Sequence, residues 1–123
     1  MTRIVVCEDE RIVALDLRAF LQKNGFEVPA LYASAEELLL DVEKLRPDLV
    51  MMDIHLQGEM DGIEAGAILF ERWAIPVIFL TAYADGPTID RASLTHPYAY
   101  ILKPYDEREL KTAIAIGLYR ASM

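Results

Sequence analysis

Five short apolar runs rich in β-branched residues alternate with five segments of helical periodicity, and no other feature restricts the fold as much. The runs at residues 3–7, 27–32, 49–53, 76–80 and 99–102 read as strands. The first helix is expected over residues 10–24, with Val13, Leu17, Phe20 and Leu21 on one face and Gly25 as its stop. The second opens with Ser34 and Glu37 in capping-box spacing and ends before Pro47. The third is expected from the Asp61 cap, with Glu64 reaching back, to about Trp73. A short fourth covers residues 88–94, and the fifth opens with Asp106 and Glu109 in the same spacing.

Strands that alternate with helices form a parallel sheet covered on both faces. An eight-unit barrel needs roughly 250 residues, about twice the 123 available. An open, doubly wound α/β sheet remains, and its common order for five strands is 2-1-3-4-5. In that order the chain reverses direction between strands 1 and 3, and ligands bind beyond the carboxyl ends of those strands. The run "RIVVCEDE" ends there on Glu8 and Asp9, and "LVMMDIHL" ends there on Asp53.

The length suits one domain over residues 1–123, and a hydrophobic fraction of 54% is enough for a sizeable core. A formal net charge of −8 without a basic cluster disfavours nucleic-acid contact. The apolar runs fall short of a membrane span, and the start of the chain reads as a strand, not a secretory signal. The single cysteine, Cys7, excludes an internal disulfide and reads as a small core residue. A reducing, cytoplasmic setting is expected.

Three carboxylates at one sheet edge need an explanation beyond turn chemistry. At an effective dielectric of about 20, each close like-charge pair costs about 3–4 kcal/mol before screening. Either one acid stays protonated or a cation resides there. An acid-rich, oxygen-only site suits Mg²⁺, and there is no His or Cys cluster to favour a softer metal. "VIFLTAY" places Thr81 at the end of strand 4, and "YAYILKPY" places Lys103 at the end of strand 5, on the same edge. A cation, an ammonium and a hydroxyl around one carboxylate suit a phosphoryl group, with the central Asp53 as nucleophile.

With "VVCEDE", "LVMMDIHL", "MDGIEA", "VIFLTAY" and "YILKPYDERELKTAI", essentially the whole chain resembles the receiver domain of two-component response regulators. The resemblance implies a flavodoxin-like (βα)₅ fold that takes phosphate from a sensor histidine kinase or a histidine phosphotransfer protein. It implies Asp53 as phosphoacceptor, Asp9 as direct ligand of Mg²⁺ (or Mn²⁺), Glu8 acting through water, and His55 offering its backbone carbonyl. Thr81 and Lys103 would hold the phosphoryl oxygens, and Pro104 follows the lysine where the family often has a cis peptide. Thr81 and Tyr100 would form the switch, changing the surface of helix 4, strand 5 and helix 5 for a downstream protein or a second copy. Such a domain catalyses its own phosphorylation and dephosphorylation without multiple turnover, and this one is expected to act as a stand-alone signalling module.

The sequence departs from the family in places. Glu8 stands where Asp is frequent, and the loop "IHLQGEMDG" lacks a common proline and is one residue longer, with Gly58 expected to add flexibility. His55 and Tyr83 would flank the route of attacking water, His96 reads as a plain loop residue, and the only tryptophan, Trp73, is expected far from the site. Two other functions compete: a pseudo-receiver that binds partners without phosphotransfer, and an aspartyl-phosphate phosphomonoesterase. The phosphomonoesterase would want a carboxylate at position 55, where His stands.

Overall fold

Parallel strands β1 (Ile4–Cys7), β2 (Leu31–Tyr32), β3 (Leu49–Asp53), β4 (Val77–Thr81) and β5 (Ala99–Leu102) form one sheet of order 2-1-3-4-5, a flavodoxin-like α/β arrangement. They alternate with α1 (Arg11–Lys23), α2 (Ala35–Leu45), α3 (Gly62–Trp73), α4 (Gly86–Ser93) and α5 (Glu107–Ser122). The structure, a computed structural model, describes residues 1–82, 86–93, 97 and 99–123. Tyr83 and His96, and the expected end of the fourth helix at Leu94, lie outside the described residues.

The period-2 alternation of the strands sorts the core into two layers. Val5, Cys7, Val50, Met52, Val77 and Phe79 face α2 and α3, and Ala92 of α4 joins this layer. Ile4, Val6, Leu49, Met51, Ile78, Leu80 and Ile101 face α1 and α5, packing on Leu17, Leu21, Leu110 and Ile114. Burial of each large side chain contributes roughly 1.5–3 kcal/mol. Because β1, β3 and β4 are buried on both faces, their apolar runs are continuous.

Differences from the sequence expectation have local causes. The strand expected over residues 27–32 is broken into an isolated Arg3–Glu27 bridge and the two-residue β2. Pro29 lies between the two pieces and has no N–H for the ladder. Ser34 caps α2 by accepting from the Glu37 amide, but its hydroxyl donates to the Glu37 carboxylate, so the expected box is half made. At α3 the box is complete between Asp61 and Glu64. Asp106 caps α5 by accepting from the Glu109 amide.

Candidate functional site

Register brings the chemistry to one edge. Cys7 pairs with Met52, so Glu8 and Asp53 both stand one residue past that rung. Asp53 in turn pairs with Leu80, and Thr81 with Leu102. Lys103 follows Leu102 directly and donates its backbone N–H to the Thr81 carbonyl at 2.8 Å. The Lys103–Pro104 peptide is cis.

Glu8, Asp9 and Asp53 each direct a carboxylate oxygen into a cluster whose atoms lie within 4.8 Å of one another. The Lys103 ammonium bridges two of the three, donating to Glu8 Oε1 at 2.5 Å and to Asp53 Oδ2 at 3.0 Å. The other oxygen of Asp53 accepts from the His55 amide at 3.3 Å. Glu8 Oε2 accepts from the Glu10 amide at 3.1 Å, at the start of α1. Glu8 and Asp53 are buried, Asp9 is half-buried and His55 is exposed.

Burial pushes the Glu8 carboxyl up to about 7, against the opposing pull of its bond to Lys103. Burial also lowers the Lys103 pKa, but the hydrogen bonds and charges of Glu8 and Asp53 outweigh it and leave the ammonium firmly protonated. Beneath the cluster, burial and then the charges of Asp53 and Glu8 push the Cys7 thiol up to about 12, which makes it an inert core residue. Among the described residues, three acids thus face one ammonium. The donors are hard oxygens, the site is short of positive charge, and a divalent cation such as Mg²⁺ fits that chemistry.

Thr81 is wholly buried at the end of β4. By strand alternation it shares the sheet face of Val77 and Phe79. Tyr100 pairs with Phe79 and packs half-buried against that same layer, to which α4 contributes Ala92. The two residues expected to act as a switch therefore share one face, the face under α4.

Two features escaped the sequence analysis. Gly62 opens α3 directly against the acceptor strand: a Cβ there would lie 2.1 Å from the Asp53 carbonyl oxygen and 2.9 Å from Met52 Cγ. The "DG" pair signals a helix start, but nothing local signals that approach. The other is Glu36, in the first turn of α2, whose side chain accepts from the amides of Glu59 and Met60 in the loop after Asp53. Gly58 in that loop has a φ of 88° and is held beside Glu36, so the longer loop is tied, not slack.

A doubly wound sheet with an acid cluster and a bridging lysine at its topological switch point defines a class of α/β modules whose polar site lies beyond the strand ends. Comparison narrows the class to a family. Residues 4–115 match the response regulator receiver domain, and the chain belongs to that family. It is 30% identical over 118 residues to the transcriptional regulatory protein PdtaR of Mycobacterium tuberculosis, covering 96% of this chain and 57% of that protein. With the DNA-binding response regulator MtrA of Mycobacterium leprae it shares 32% identity, covering 96% of this chain and 52% of that protein. The chain therefore spans about half the length of these curated relatives. The receiver domain of a modulated diguanylate cyclase from Desulfovibrio desulfuricans superposes with a TM-score of 0.93 at 31% identity, over 99% of this chain and 97% of that one. A CheY-like receiver from Methanospirillum hungatei gives 0.91 at 27% identity, over 99% and 97%. The chain is thus a receiver domain of a two-component response regulator.

Proposed function

We propose that residues 1–123 form one receiver domain in which Asp53 accepts a phosphoryl group from a phosphohistidine, and that this changes a protein-binding surface. The observation that carries the proposal is the Lys103 ammonium held between Glu8 and Asp53, with Asp9 alongside. In the reaction an Asp53 carboxylate oxygen forms the new P–O bond and the P–N bond of the donor breaks. The electron pair leaves with the imidazole nitrogen, which takes a proton.

Asp9 and Asp53 would hold Mg²⁺ (or Mn²⁺), with Glu8 contributing through water and His55 through its backbone carbonyl. The cation supplies positive charge for the acceptor and the phosphoryl oxygens when it is bound. Lys103 exchanges part of its carboxylate contact for a phosphoryl oxygen, and the Thr81 hydroxyl serves another. A groove of about 840 Å³, lined by Val13, Leu17, Tyr105 and Leu110, opens beside Lys103 and offers an apolar seat to the histidine kinase or phosphotransfer protein that brings the phosphate.

Phosphorylation adds roughly 1.5–2 negative charges at Asp53. Thr81 turns toward them, Tyr100 fills the space left, and α4, β5 and α5 present a changed surface to a downstream protein or a second copy. Ile89 and Leu102 are exposed apolar side chains of α4 and β5 suited to that contact. Among the described residues no helix is long and apolar enough to cross a membrane. We place the domain in the cytoplasm, where histidine kinases deliver phosphate.

Incubation with acetyl phosphate and Mg²⁺, followed by intact-mass spectrometry, tests the reading. One phosphoryl group per chain is expected, none without the cation and none in Asp53→Asn. Phosphate retained by Asp53→Asn would refute the assignment, and turnover of a phosphomonoester far beyond one equivalent would favour a hydrolase.

A further inference from the structure

The connection from Asp53 to α3 is held at several points by the start of α2. The Gln57 amide donates to the Ala33 carbonyl at 3.3 Å, and Ser34 and Gln57 form an isolated parallel bridge. Glu36 Oε2 then accepts from the Glu59 amide at 3.0 Å and the Met60 amide at 3.1 Å. Gly58 lies so close that an added Cβ would stand 2.8 Å from both Glu36 carboxylate oxygens. At the other end the Gly62 amide donates to the Ile54 carbonyl at 2.8 Å, which closes the loop back on the acceptor strand.

The chemistry of the clamp is specific. A carboxylate that accepts two backbone N–H groups makes charge-assisted bonds stronger than neutral ones. The Glu36 carboxyl lies below its usual range because of hydrogen bonds from its own backbone N–H and from the amides of Met60 and Glu59. The charge also sits in the first turn of α2, where the helix dipole favours it. Glu36 touches neither Asp53 nor the other acids in any of these bonds. It acts on the loop that carries His55, and the His55 amide bonds Asp53.

We propose that Glu36 is a positioning residue for the cation site: by clamping the amides of Glu59 and Met60 it fixes the Asp53–Asp61 loop and with it the His55 backbone. The inference rests on the cation-binding role given to His55 and Asp53 above. Gly58 is the matching half of the device: its φ of 88° favours glycine, and a side chain there would push the Glu36 carboxylate from its place.

The test is Mg²⁺ titration of the full chain by isothermal calorimetry, paired with amide hydrogen exchange at Glu59 and Met60. Removing a residue that orients a metal ligand typically weakens binding by about tenfold or more. Glu36→Ala should therefore weaken Mg²⁺ binding about tenfold and speed exchange at both amides. Glu36→Gln keeps a carbonyl oxygen for the two amides but loses the charge, so its affinity should fall between those of wild type and Glu36→Ala. Gly58→Ala crowds the carboxylate and also strains a backbone whose φ is 88°, so it should weaken binding at least as much as Glu36→Ala, and wild-type affinity in it would count against the proposal. Wild-type affinity in Glu36→Ala, with exchange at the two amides accelerated, overturns this proposal alone. A wild-type chain that binds no Mg²⁺ overturns the cation site as well.

Discussion

On the two sides of Asp53 the molecule is built differently. On the β3–α3 side, α3 buries five residues, Gly62, Ile63, Ala65, Gly66 and Leu69, behind a complete capping box, and the loop before it is clamped by Glu36. On the α4 side, the eight-residue helix buries Ala92 alone among its residues. An Arg91–Asp61 ion pair at 2.8 Å ties it to the cap of α3, with the arginine half exposed. The more firmly built side is the one that holds the acceptor Asp53 and the proposed ligand His55. Among the described residues, the side proposed to carry the output buries less, which suits the proposed switch.

The largest effect should come from breaking the bridge at the centre. Lys103→Met leaves Glu8 and Asp53 without their ammonium, and losing one partner of a buried pair costs about 3–5 kcal/mol. Because the Lys103 side chain is 17% exposed, a loss of about 2–3 kcal/mol is expected in Mg²⁺-free urea unfolding, with partial recovery on adding Mg²⁺. Unchanged stability would mean that Glu8 and Asp53 do not depend on the lysine.

Next comes a paired glycine test of the two sides. Gly62→Ala forces a methyl group against the Asp53 carbonyl and should cost about 2–3 kcal/mol, in the range of overpacked cores. Gly86→Ala on α4 meets nothing within 4 Å and should be neutral or stabilise by up to about 1 kcal/mol. Equal costs in thermal unfolding would erase the contrast.

The pH dependence sharpens the same side. The folded-state pKa of Glu8 is about 7 against an ordinary 4.5, so the folded chain holds this proton more tightly than the unfolded one. Its contribution to stability is complete below about 4.5 and is lost as pH rises through about 7. Without Mg²⁺, Glu8→Gln should therefore gain stability relative to wild type from pH 5 to pH 8. A difference that stays flat or falls would contradict the burial of a charged Glu8. The smallest effect belongs to Arg91→Ala, since an exposed pair is worth about 0–1 kcal/mol. A larger loss in urea unfolding would show α4 to be more firmly held than described.

Much of this was legible in the order of residue types, and the losses have physical reasons. The site was readable because a carboxylate at the end of a buried strand is costly, and the sheet order converts strand ends into neighbours. Pro29 could have warned of the broken second strand, since its missing N–H is visible in the letters. Glu36 could not be read in the same way. A glutamate in a first helical turn already has a local explanation in the helix dipole, while its partners are backbone amides, the Glu59 amide 23 residues further on. Gly58 suggested slack from composition, yet its positive φ and its contact with Glu36 make it part of a clamp. The sheet follows from periodicity, whereas the loop geometry depends on contacts between segments far apart in sequence.

Identification of the phosphorylated side chain tests the central claim most directly. The chain is exposed to acetyl phosphate with and without Mg²⁺, reduced with borohydride to convert an acyl phosphate into an alcohol, and mapped by peptide mass spectrometry. The account predicts the mark at Asp53 alone, and only with the cation present. A mark on Glu8 or Asp9, or one at Asp53 that forms equally well without Mg²⁺, would contradict it.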